Sequence, residues 1–100
     1  MWVSITRSAM RHGIAEEEIR CAVKYPLLTF GIASRRYPDA SPRLFVGQYA
    51  ENEPLLEVVG ETHGEEIEVF HALLLRWSTV HEAGIASLID TTNIARAQRK

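Results

Sequence analysis

Residues 43–74 read RLFVGQYAENEPLLEVVGETHGEEIEVFHALL, and this stretch decides the fold. Three runs rich in Leu, Val, Ile and Phe stand at regular spacing within it: Arg43–Tyr49, Leu55–Glu61 and Ile67–Leu74. Residues 50–54 connect the first pair. Residues 62–65 connect the second, with Gly64 free to take a positive φ. Connections this short join neighbouring strands antiparallel, so the spacing predicts a three-strand meander. Both phases of the strands are apolar: Leu44 and Val46 alternate with Phe45 and Tyr49, and Leu56 and Val58 with Leu55 and Val59. The sheet is therefore expected to be covered on both faces. The N-terminal helices account for one cover. The other falls to the C-terminal segment, a second chain or a ligand.

Working outward, Ala15–Tyr25 is predicted as a helix. Glu16, Glu17 and Glu18 crowd its first turn, where negative charge suits the helix dipole. Ile19, Ala22 and Val23 form an apolar stripe, extended upstream by Ile14, and Pro26 ends the helix. Before it, Trp2–Thr6 reads as a short edge strand, and Ser8–His12 as a single helical turn stopped by Gly13. After it, Leu27–Ile32 fits a short strand and residues 35–42 a loop. Beyond the meander, Thr79 and Glu82 fit a capping box whose helix runs to about Leu88. Asp90–Asn93 breaks the pattern, leaving a last turn or a disordered basic tail. The expected fold class is α+β, with N-terminal helices packed on an antiparallel β-meander sheet and a C-terminal helix. One domain covers residues 1–100, with its core at about 10–77 and a helical extension at 78–100.

At 100 residues the chain has room for one modest core. With 46% apolar and 24% charged residues, disordered, collagenous and coiled-coil classes are excluded. The lone Cys21 lies on an apolar helical stripe and reads as a buried structural thiol. With no internal disulfide, no charged-then-apolar leader and no apolar run long enough to span a bilayer, a cytoplasmic protein without membrane contact is expected. The net charge of −2 does not mark a nucleic-acid binder, but it is unevenly spread. Residues 51–68 hold seven Glu and no Lys or Arg. Arg7 and Arg11, the group Arg35, Arg36 and Arg43, and the tail Arg96, Arg99 and Lys100 carry the positive charge. This is ordinary solvation of an acidic hairpin, or one positive face turned toward phosphate or an acidic partner.

Several blocks occur in a telling order: Arg11-His12-Gly13-Ile14, Glu16-Glu17-Glu18-Ile19, Pro26-Leu27, residues 42–47 (PRLFVG), residues 55–59 (LLEVV) and residues 69–76 (VFHALLLR). In order and spacing the chain resembles the BrnT-like branch of the RelE/ParE superfamily, the small toxins of bacterial type II toxin–antitoxin systems. The resemblance spans roughly residues 10–77. It implies a core of two helices followed by three strands, an endoribonuclease activity, and neutralisation by a cognate antitoxin. Its partners would be an RNA substrate and the antitoxin, as a homodimer or a toxin–antitoxin hetero-oligomer. The chain departs from the pattern in having Arg11 for Lys, little excess basic charge, and a longer, less basic C-terminal segment.

Metal-independent RNA cleavage requires a base for the 2′-hydroxyl, a cation for the phosphorane charge and an acid for the leaving oxygen. His71, in the last meander strand, is the candidate for proton transfer. At strict period two it shares a face with Ile67, Val69 and Leu73, so a hydrogen-bonded core histidine is the competing reading. Arg76 is the candidate transition-state cation, or else a surface arginine. Glu57, among Leu and Val, is the alternative base and would want a cation such as Arg43 or Arg76. Arg43, Arg11 and His12 are candidate phosphate or RNA contacts, or else a strand-entry charge and helix-end residues. His63 and His81 read as surface residues. The four histidines lack paired metal-ligand spacing and no Gly-rich phosphate loop occurs, so neither metal nor cofactor is expected. The competing function is a catalytically inactive protein-interaction domain on the same scaffold, using an open sheet face and the region of Trp77.

Overall fold

A computed structural model describes residues 2–33 and 40–99. The meander is its centre. Strands β3 (Pro42–Gly47), β4 (Leu56–His63) and β5 (Glu66–Leu74) pair antiparallel in succession. Gly64 turns the β4–β5 hairpin at φ +63°. Strand β2 (Leu28–Gly31) adds antiparallel to β3, and strand β1 (Trp2–Ile5) adds parallel to β5. The result is a five-stranded mixed sheet in the order β1-β5-β4-β3-β2, not a purely antiparallel one. A 3-10 turn (Ser8–Met10) and helix α1 (Glu16–Lys24) carry the chain from β1 at one edge of the sheet to β2 at the other.

Helix α1 begins where its acids predicted. The Glu18 side chain accepts the Ala15 N–H at 2.9 Å, and Arg99 from the far end of the chain grips the same carboxylate at 2.7 Å. Ile19, Ala22 and Val23 face the sheet and pack with Val3, Phe45, Val58 and Val69. The helix lies so close to β3 that a Cβ on Gly47 would stand 3.0 Å from the Ala22 Cα. Cys21 is half-buried, with its thiol 3.8 Å from the Gln48 carbonyl.

A second core lies on the opposite face, as the double apolar phase of the strands foretold. Leu44, Val46, Leu55 and Val59 meet Leu75, Val80, Ile85 and Ile94 there. Helix α2 (Trp77–Ala83) and the C-terminal segment supply that cover. The helix starts two residues before the expected cap, Thr79, whose hydroxyl is engaged elsewhere. It ends at Gly84 (φ +66°), short of Leu88. The tail is docked. Asp90 caps a 3-10 turn at Thr91–Asn93, and the Gln98 amide bonds both the N–H and the C=O of Leu74, at 2.9 and 2.8 Å. A side chain thus takes the place of a strand where β1 no longer covers β5.

The element order differs from the two-helices-then-three-strands core that the resemblance implied. A strand opens the chain, and a single α-helix precedes the meander. Among the described residues no helix is long and apolar enough to cross a membrane. Arg35 and Arg36 lie outside the described residues.

Candidate functional site

A register irregularity in β5 places the site. Val59 pairs with His71 and the next residue, Gly60, pairs with Val69, so Phe70 is an extra residue with no partner of its own. This is a β-bulge, and it shifts the alternation by one. Ile67 and Val69 point toward α1, and beyond the bulge it is Ala72 and Leu74 that do so. Phe70 and His71 both emerge on the α2 face. His71 therefore does not share a face with Ile67 and Val69, as strict period two implied. It shares one with Leu73, and through the neighbouring strands with Val59 and Glu57. Gly60 makes the bulge feasible, since a Cβ there would stand 3.0 Å from the Glu68 carbonyl oxygen.

Helix α2 and the tail cover only part of this face. What remains is an open groove of about 970 Å³. Its floor includes a row across four strands, Phe30, Leu44, Val59 and His71, set by the pairing register. Phe70, Arg76, Thr79 and Glu82 also line it, and Glu57 lies at its base.

Glu57 is the one buried charged residue among those described, at 1% exposure, and its carboxylate organises the groove. Oε1 accepts the Arg76 backbone N–H at 2.9 Å, Arg76 Nε at 3.1 Å and the Thr79 hydroxyl at 2.8 Å. Oε2 accepts Arg76 Nη2 at 3.0 Å and faces His71 Nε2 at 3.2 Å. Burial alone would push this carboxyl's pKa up. The hydrogen bonds from His71, from the Arg76 side chain and backbone, and from Thr79 outweigh it and hold the pKa at about 2.

An ionised carboxylate only accepts, so the proton of neutral His71 sits on Nε2 and the lone pair on Nδ1. Among the described residues neither His71 Nδ1 nor Arg76 Nη1 has a hydrogen-bond partner. The arrangement suits proton transfer at Nδ1 beside a fixed guanidinium. The guanidinium's charge, however, is largely matched by Glu57. That ion pair, with a smaller contribution from Glu82, also raises the Arg76 pKa above its ordinary value.

Three of the six candidate residues thus converge: His71, Arg76 and Glu57. With its pKa held at about 2, the Glu57 carboxylate is placed to anchor His71 and Arg76. The other three lie apart. Arg43 alternates with Leu44 and so projects from the opposite face of the sheet, where its Nε donates to the Thr29 hydroxyl at 3.0 Å. Arg11 and His12 follow the 3-10 turn and do not line the groove. His63 faces Glu68 at 3.7 Å, and His81 stacks against Trp77 at 5.8 Å between ring centroids.

Thr79 and Phe70 were missed at the sequence level. Thr79 looked like a helix cap, and nothing local distinguishes a cap from a donor to a carboxylate 22 residues away. Phe70 carried no local signal either, because Ile67, Val69 and His71 continue the period-two alternation across it. Among the described residues no group of His, Cys, Asp or Glu side chains is placed to hold a metal ion. Compared with protein-family models, curated proteins and solved structures, the chain matches none. What the fold and site define is therefore a class: a small α+β protein with a buried carboxylate fixing a His–Arg pair in an open groove.

Proposed function

We propose that this chain is a toxin of the type II toxin–antitoxin kind, a metal-independent endoribonuclease acting in the cytoplasm and neutralised by a cognate antitoxin. The observation that carries the proposal is the buried carboxylate of Glu57. It orients His71 through Nε2–H and Arg76 through a two-point grip, leaving His71 Nδ1 and Arg76 Nη1 for a substrate. In the reaction, Nδ1 takes the proton of a ribose 2′-hydroxyl while the 2′-oxygen attacks phosphorus. The bond to the 5′-oxygen breaks, Arg76 Nη1 donates to the non-bridging oxygens, and the imidazolium returns its proton to the leaving oxygen. The products are a 2′,3′-cyclic phosphate and a 5′-hydroxyl. Proton transfer of this kind contributes about 10²–10⁴-fold, and Glu57 steadies the imidazolium in between.

The test is cleavage of RNA by the purified chain in EDTA, together with growth after induced expression in bacteria. Cyclic-phosphate ends, lost in His71→Ala and reduced at least tenfold in Arg76→Lys, support the proposal. Intact RNA and undisturbed growth overturn it. A catalytically inactive interaction domain is the second reading, favoured by the described lining residues, among which Glu57 and Glu82 stand against one guanidinium. On that reading His71→Ala leaves partner binding and phenotype unchanged.

A further inference from the structure

The bulge does more than turn His71 around. It sets two consecutive side chains, Phe70 and His71, on one face opposite Val59, where a regular strand would supply one. Phe70 is 39% exposed, whereas its neighbours on the groove floor, Leu44 and Val59, are buried. A large ring is thus held in the open directly beside the candidate proton-transfer group. Among the described residues lining the groove, two carboxylates stand against one guanidinium that is already paired, so these residues offer a phosphate little attraction. Against these residues a nucleic acid gains its affinity from its bases. Bases offer a free π-face only where the strand is unpaired, and they then stack on aromatic side chains.

We infer that Phe70 is a base-stacking platform and that the substrate is single-stranded RNA, with an unstacked base on the Phe70 ring next to the scissile phosphate. This inference rests on the endoribonuclease reading. Phe30, three strands across the sheet on the same row and hence about 14 Å from His71, marks the far end of the same apolar track.

The experiment compares the full chain with Phe70→Ala, Phe70→Leu and Phe70→Trp on one oligoribonucleotide, presented single-stranded and annealed to its complement. Phe70→Trp should cleave like the native chain. Phe70→Leu keeps apolar volume but loses the π-face. It and Phe70→Ala should raise KM about tenfold or more while kcat changes less than threefold, as loss of one stacked base implies. The duplex should resist cleavage. A 2-aminopurine placed at the scissile step should be quenched by the His71→Ala protein and not by the His71→Ala, Phe70→Leu double variant. Should the native chain cleave while Phe70→Leu matches it in KM, or should the duplex be cut as fast, the platform is wrong and the ribonuclease reading survives. If the native chain cleaves nothing, both fall together.

Discussion

Replacing Glu57 by Gln removes the charge at the centre of the groove and keeps the shape. In the folded protein this carboxyl titrates at about 2, against an ordinary value of 4.5. At about 1.4 kcal/mol per pH unit, the difference is worth about 3 kcal/mol of folding stability. A second route gives a similar figure. Breaking a buried ion pair by removing one partner costs about 3–5 kcal/mol, and the lower end applies because the Arg76 side chain is 46% exposed and regains water. For a domain of this size the loss lowers the melting temperature by on the order of 15 °C.

The sign with pH follows from the depressed value. The unfolded chain holds the proton up to about pH 4.5 and the folded chain releases it down to about 2, so the stabilisation is complete above 4.5 and is lost as pH falls toward 2. Melting followed by circular dichroism from pH 7 to pH 2 should therefore show a wide gap between the native chain and Glu57→Gln that closes below pH 4.5. The histidine reports separately. With an amide NH₂ facing Nε2, the His71 proton moves to Nδ1, which nitrogen chemical shifts resolve. A gap of under 3 °C at pH 7, or one that stays constant from pH 5 to 2, would refute the carboxylate's role as anchor.

Three further perturbations probe the frame around the groove. Gly60→Ala forces a Cβ to 3.0 Å from the Glu68 carbonyl oxygen and should destabilise by about 1–3 kcal/mol in denaturant unfolding, with the His71 environment disturbed in NMR spectra. Thr79→Val keeps the volume but leaves Glu57 one donor short, which should cost about 1 kcal/mol and leave the start of α2 at Trp77 unchanged by NMR. Gln98→Ala unpairs the N–H and C=O of Leu74, so hydrogen exchange at the Leu74 amide should accelerate at least tenfold while amides of α1 hold their rates.

Much of the frame was legible because its signals are local. Pro26 and the Glu-rich first turn bound α1, Gly64 turns the hairpin, and the two apolar phases of β3 and β4 foretold a core on each face. The site was legible as a set of residue types: His71, Arg76 and Glu57 were singled out, and these three meet. Of their relation, the pairing of Glu57 with a cation such as Arg76 was legible, and the place of His71 was not. Period two assigned His71 to the core, and one extra residue at Phe70 reversed it, because alternation has no memory across a bulge. Which face each basic residue takes was not legible for a related reason. Charge says nothing of which face a side chain takes, and Arg43 takes the one away from the groove.

The sequence by itself determined the meander, the helix that covers one face and the shortage of cover on the other, all consequences of hydrophobic period and turn chemistry. Only the tertiary structure decided that Trp2–Ile5 pairs parallel with β5, that Gln98 closes the β5 edge, and that Glu57 is an anchor. Those outcomes depend on backbone and side-chain partners tens of residues apart, and the hydrogen-bonding needs of a buried carboxylate or an open strand edge are met by whatever the fold brings near. For Glu57 the fold brought His71, Arg76 and Thr79.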